Sequence, residues 1–175
     1  KRFGWSTKFV DFDDLDAVKA AIDGDTRAIF CETIANPGGY VTDLPAIAKI
    51  ADAAGIPLIV DNTTATPWIC RPIEHGATLV VHSMTKYLTG NGTVTGGVIV
   101  DSGKFDWSAS DKFPSLSQPE PAYHGLAFHP ALGAMAFTFH SIAVGLRDLG
   151  MTMNPQGAHY TLMGIETLGL RMQRH

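Results

Sequence analysis

Cysteine is scarce in this chain: Cys31 and Cys70 are the two in 175 residues, far apart and outside any C-x-x-C pattern. That spacing excludes a disulfide framework and a thiolate metal site. It predicts reduced thiols in a cytoplasmic protein, with Cys31 as a buried strand residue. Long apolar runs are missing too. No segment reaches the roughly 20 residues that a membrane helix needs, so no membrane partner is expected. Positive charge is not in excess: the formal net charge is −4 and the basic residues are scattered. Nothing there forms a footprint for nucleic acid. His75, His82, His124, His129 and His140 show no metal-ligand spacing, so no metal is expected. The acidic stretch Asp11, Asp13, Asp14 and Asp16 lacks the glycine and terminal glutamate of a calcium loop and reads as helix-start charge. The chain also has no initiator methionine, no targeting segment, and an unfinished helical pattern at 169–175. A piece of a longer protein is expected on those grounds.

What is present alternates. Phe9-Val10 predicts a short strand, and Leu15, Val18 and Ile22 predict a helix over about 13–23, ended by Gly24. Residues 27–33 read as a buried strand, broken by Asn36-Pro37 and Gly38-Gly39. A second helix is capped by Thr42 or Asp43, carries Pro45 in its first turn, and stops at Gly55 and Pro57. Leu58-Ile59-Val60, Leu79-Val80-Val81 and Val98-Ile99-Val100 are continuous apolar strands. Apolar strands separated by helices predict an α/β fold with a mainly parallel sheet covered on both faces. Residues 101–125 read as a long loop. A helix follows His129-Pro130, with Leu132, Met135, Phe139, Ile142 and Leu146 on one face, and a last helix starts near Pro155.

The densest chemistry follows the third apolar strand, in His82-Ser83-Met84-Thr85-Lys86-Tyr87 and a glycine-rich exit at Gly90, Gly92, Gly96 and Gly97. A lysine there sits at the carboxyl edge of the sheet, where open α/β folds bind ligands. Ser83 and Thr85 can donate to a phosphate. Lysine, hydroxyl donors and a strand end together suggest a Schiff-base lysine for pyridoxal 5'-phosphate. Asp61, delivered by a buried strand, is either a turn aspartate or the partner of a protonated ring nitrogen. Asn36 is either a turn residue or a donor to the ring's phenolic oxygen. The glycines precede a strand rather than a helix, which disfavours a dinucleotide loop.

The segments 32–37, 61–67 and 80–97 resemble the Cys/Met-metabolism (trans-sulfuration) family of fold-type I pyridoxal-phosphate enzymes. Residues 70–77, 96–107, 123–125, 145–150 and 164–168 resemble its O-acetylhomoserine sulfhydrylase subgroup. The resemblance implies Lys86 as the Schiff-base lysine, Asp61 as the pyridinium partner, Asn36 on the ring oxygen, and Ser83 and Thr85 on the phosphate. It implies γ-replacement on O-acetyl-L-homoserine, with sulfide or a thiol as nucleophile, in a homotetramer built as a dimer of dimers. O-succinylhomoserine sulfhydrylase, cystathionine γ-synthase and γ-lyase are alternatives, as is a non-catalytic cofactor-binding or oligomerisation fragment. On this reading residues 1–150 are the central part of the large cofactor domain, and 151–175 begin a helical linker toward a C-terminal domain. Thr64, Thr78 and Asn91 depart from residues usual in the family.

Overall fold

A computed structural model describes residues 3–175. Helix α1 (Leu15–Ala21) starts at Asp14, whose carboxylate accepts the backbone N–H groups of Asp16 and Ala17. Strand β1 (Ile29–Glu32) leads through the Asn36–Gly39 turn to α2 (Leu44–Ala53). Asp43 caps α2 by accepting from Ala46 N–H at 3.1 Å, and Pro45 sits where no intrahelical donor is needed. Gly55 adopts φ +62° to end it, a left-handed turn that costs glycine little. Strand β2 (Leu58–Asp61), helix α3 (Thr66–Ile69), a 3₁₀ turn (Pro72–His75), β3 (Leu79–Ser83) and β4 (Gly97–Asp101) follow. The remainder is helical: α4 (Pro114–Ser117), α5 (Phe128–Leu132), α6 (Ala136–His140) running into a π-type segment (Ser141–Asp148), then α7 (Pro155–Glu166) and α8 (Leu168–Arg174).

The sheet order is β1-β2-β3-β4, with the first two pairings parallel and β3/β4 antiparallel. This is the mainly parallel α/β sheet that the apolar strands predict. Alternation sends Ile29, Cys31, Leu58, Val60 and Val80 to one face, against Leu44, Ile47, Ala48 and Ala51 of α2. Leu79, with Ile59 beside it, faces the opposite side and packs with Trp107, Leu116, Phe128 and Ala136. Each fully buried aliphatic side chain contributes about 1.5–3 kcal/mol, so a four-stranded sheet is held firmly by two such layers.

Several expectations are corrected. Phe9-Val10 forms no strand; among the described residues no ladder partner reaches it, and Phe9 is almost wholly exposed. The helix expected through Leu132 and Leu146 breaks at Gly133, whose φ of +52° no continuous helix accommodates. Its apolar stripe stays largely uncovered, with Met135, Phe139, Ile142 and Leu146 exposed. The loop over 101–125 contains α4 and a 3₁₀ turn at Pro121–Tyr123. The last helix is two, parted at Thr167 (φ −100°, ψ 3°). These two fold back onto the segment after β3. Leu168 and Met172 are buried against Leu88, with Met84, Tyr87 and Val98 packed around them.

Candidate active site

Because β1, β2 and β3 run parallel, their carboxyl ends deliver Glu32, Asp61 and Ser83 to one edge of the sheet. At that edge opens a cleft of about 630 Å³, whose lining includes Asn36, Thr63, Lys86, Tyr87, Gly90 and Arg171. Lys86 lies in a wide turn, Met84–Leu88, with backbone angles of φ −94° and ψ −120° that belong to no helix. It is exposed, and among the described residues its amine makes no ion pair.

The structure places Asn36 and Lys86 in the lining of this cleft; Asp61, Ser83 and Thr85 are not among its lining residues, Asp61 and Ser83 ending β2 and β3 at the same edge and Thr85 preceding Lys86 in the turn. The Asp61 carboxylate accepts the Thr63 backbone N–H at 2.9 Å. The Thr63 hydroxyl oxygen in turn accepts the Ser83 N–H at 2.8 Å, joining the ends of β2 and β3. The Thr85 hydroxyl oxygen accepts the Gly96 N–H at 3.1 Å and lies 3.4 Å from that residue's carbonyl. Asn36 donates its backbone N–H to the Glu32 carboxylate at 2.7 Å, which leaves its amide for the cleft.

One layer beneath runs a buried polar row. Thr33, Asn62 and His82 each follow directly on paired positions of neighbouring strands and are 5%, 0% and 6% exposed. Thr33 donates its hydroxyl to the Asn62 side-chain oxygen at 2.7 Å, and the Asn62 amide donates to the Cys70 carbonyl at 2.8 Å. His82 keeps a buried Nδ1 without a partner among the described residues. Burial holds its pKa below the usual imidazole range, partly opposed by the charge of Asp61 and by hydrogen bonding to the Asn62 backbone. Thr66, also wholly buried, sits at φ +62°, an unfavourable region for a β-branched residue. Its N–H bonds to the Asn62 carbonyl at 2.8 Å and helps to hold it there. Such strain concentrates at functional edges.

Sequence reading missed Thr63, the Thr33–Asn62–His82 row and Arg171. The row depends on strand register, and Arg171 on a fold-back 84 positions long. Two other features carry no chemistry. Ser108, His129 and Asp106 lie close, yet serine and aspartate both meet Nδ1, at 2.8 and 3.4 Å, so no proton path crosses the ring. Burial first, and the neighbouring Glu32 second, push the Cys31 thiol up to about 12, which leaves it an inert core residue.

The residues present fit a pyridoxal phosphate cofactor. An unpaired amine and an amide face a cleft with glycine walls, and a carboxylate ends the adjoining strand. Relatives agree. The family model for Cys/Met metabolism PLP-dependent enzymes matches residues 1–175. A homocysteine synthase of Schizosaccharomyces pombe is 49% identical over 176 residues, covering 99% of this chain and 41% of the relative. An O-acetyl-L-homoserine sulfhydrylase of Leptospira meyeri is 41% identical over 182 residues, again 99% of this chain and 41% of its own length. A Campylobacter jejuni structure assigned as an O-acetylhomoserine (thiol)-lyase carries an N'-pyridoxyl-lysine-5'-monophosphate. It superposes with a TM-score of 0.87 at 38% identity, over 91% of this chain and 40% of that one. The chain thus spans about 41% of the length of the curated relatives it matches. With the family model matching the sequence throughout and the fold superposing over 91% of it, the chain belongs to the Cys/Met-metabolism family of PLP-dependent enzymes.

Proposed function

We propose that this chain carries the cofactor lysine of an enzyme that replaces the γ-substituent of O-acetyl-L-homoserine with sulfide or a thiol. The products are homocysteine or methionine, and acetate. The observation that carries the reading is the unpaired Lys86 amine sharing one cleft with Asn36, beside the strand that ends in Asp61. Pyridoxal 5'-phosphate, when bound, supplies the electron sink that makes loss of the substrate α-proton feasible. Lys86 is assigned both the covalent attachment and, once displaced by the amino acid, the transfer of a proton at Cα. Asp61 would keep a proton on the ring nitrogen, and Asn36 would donate to the phenolic oxygen. Ser83 and Thr85 would meet the phosphate, with Thr85 giving up its long contact to the Gly96 carbonyl.

The test is borohydride trapping. Full-length protein mixed with pyridoxal phosphate should be reduced to a species whose added mass lies on the peptide containing Lys86, and Lys86→Ala should lose both label and yellow colour. Label on a different lysine would overturn the assignment. Turnover with acetylated and succinylated homoserine, each with sulfide, should release acetate in preference; faster succinate release would refute the assigned leaving group. A cytoplasmic homotetramer is part of this proposal. The uncovered apolar side chains of Met135, Phe139, Ile142 and Leu146 support subunit contacts, and among the described residues no helix is long and apolar enough to cross a membrane.

A further inference from the structure

The turn that presents Lys86 is not held by its own helix alone. Besides Gly96, its neighbours include α7 and α8, far along the chain. Gly164 of α7 lies so close to this turn that an added Cβ would stand 2.6 Å from the Leu88 carbonyl oxygen. The hydroxyls of Thr161 and Thr89, both buried, meet at 3.2 Å. Arg171 of α8 supplies the remaining tie. Its Nη1 donates to the Tyr87 carbonyl and its Nη2 to the Gly164 carbonyl, each at 2.7 Å, while Nε donates to the Thr167 hydroxyl at 3.2 Å. The guanidinium rests against Gly90, where a Cβ would come within 2.7 Å of its Cζ. Among the described residues no carboxylate pairs with it.

We propose that Arg171 is a positioning residue for Lys86, gripping the next peptide carbonyl and so fixing the direction in which the amine enters the cleft. The backbone at Lys86 is non-helical, and the turn's own bonds, Gly90 N–H to the Lys86 carbonyl at 2.8 Å and Thr89 N–H to the Met84 carbonyl at 3.1 Å, do not by themselves set that direction. A charged donor on the adjoining carbonyl does, and such bonds are about twice as strong as neutral ones. The planar fork matters as well as the charge: it spans two carbonyls at once, which a point cation cannot do. This inference rests on the reading of Lys86 given above.

The test uses the full-length chain with Arg171→Met, Arg171→Lys and Thr161→Val. The readouts are the rate of borohydride-trapped pyridoxal labelling at Lys86, and kcat and KM for the amino-acid substrate. Arg171→Met should slow both labelling and kcat about ten- to a hundredfold, the scale of a small misplacement of a reacting group, with KM nearly unchanged. Arg171→Lys should recover part of the labelling rate, and it carries the test if the methionine variant does not fold. Thr161→Val loosens the same contact without touching the Tyr87 carbonyl; it should lower stability yet label at the parent rate. Parent-like labelling in both arginine variants would overturn the proposal. So would a rise in KM alone, which would make Arg171 a substrate ligand, or equal slowing by Thr161→Val. Failure of the unsubstituted chain to label at Lys86 would instead sink the functional reading, and the inference with it.

Discussion

Replacing Thr33 by valine removes one hydroxyl from the buried row under the site and nearly preserves side-chain shape. The hydroxyl it deletes donates at 2.7 Å to the side-chain oxygen of Asn62, a residue with no solvent exposure. Water cannot replace it there. The stranded acceptor costs about 1–3 kcal/mol, because a buried group left unpaired loses its full desolvation penalty. A methyl in place of the hydroxyl gains about 0.8 kcal/mol of burial. The balance is a loss of about 0.2–2.2 kcal/mol, or up to roughly 9 °C in Tm for a chain of this size. Equilibrium urea unfolding is the assay: the midpoint should fall while the slope m is unchanged, since the surface exposed on unfolding is the same. An unchanged or raised midpoint would show that the Asn62 oxygen has another partner and that the row is not a structural unit.

Other perturbations probe the layers above and below. Ile47→Ala, at a position with no exposure in the centre of the α2 layer, should cost about 2–5 kcal/mol in the same assay. Gly164→Ala should destabilise by at least about 1–3 kcal/mol, because its Cβ meets rigid backbone carbonyls rather than a flexible side chain. Thermal denaturation reads that loss directly, and a parent-like Tm would refute the close approach of α7. The pH response follows from the imidazoles. Burial is the first cause that lowers the pKa of both His82 and His140, so the unfolded chain takes up protons that the folded one resists. Their stability contribution is present above about pH 6.5, the unperturbed value, and is lost as pH falls from there through the lowered folded values. His82→Gln should flatten that slope in urea midpoints measured across the window, and an unchanged slope would assign it to other groups.

The parts of the fold legible in the sequence are those decided locally. Leu58-Ile59-Val60 reads as a strand buried on both faces because nothing polar interrupts it, and Asp43 with Pro45 marks the start of α2 without reference to any other element. Lys86 stands out for the same reason: strand, hydroxyls, amine and glycines follow one another directly. The misreadings share a non-local cause. Phe9-Val10 has the composition of a strand but, among the described residues, no partner to pair with. Gly133 parts α5 from α6 with a positive φ that helical periodicity cannot register. The alignment of Thr33, Asn62 and His82 exists only after three strands adopt one register, and Arg171 reaches the lysine turn only after α8 has folded back. Asp61 lies between these cases: its place at a strand end is readable, but its link through Thr63 to Ser83 is not.

β4 runs opposite to β3, so the chain leaving Lys86 must reverse within residues 89–96 and re-enter the sheet from the side it has just left. Gly90 and Gly92 of that reversal form part of the cleft's rim, whereas the far end of β4 opens at the opposite pole of the sheet. Changes in length between Thr89 and Gly96 would therefore widen or narrow the mouth of the cleft. Equal changes just after Asp101 would leave that aperture untouched. Loop grafting meant to reshape the cleft belongs in the first reversal.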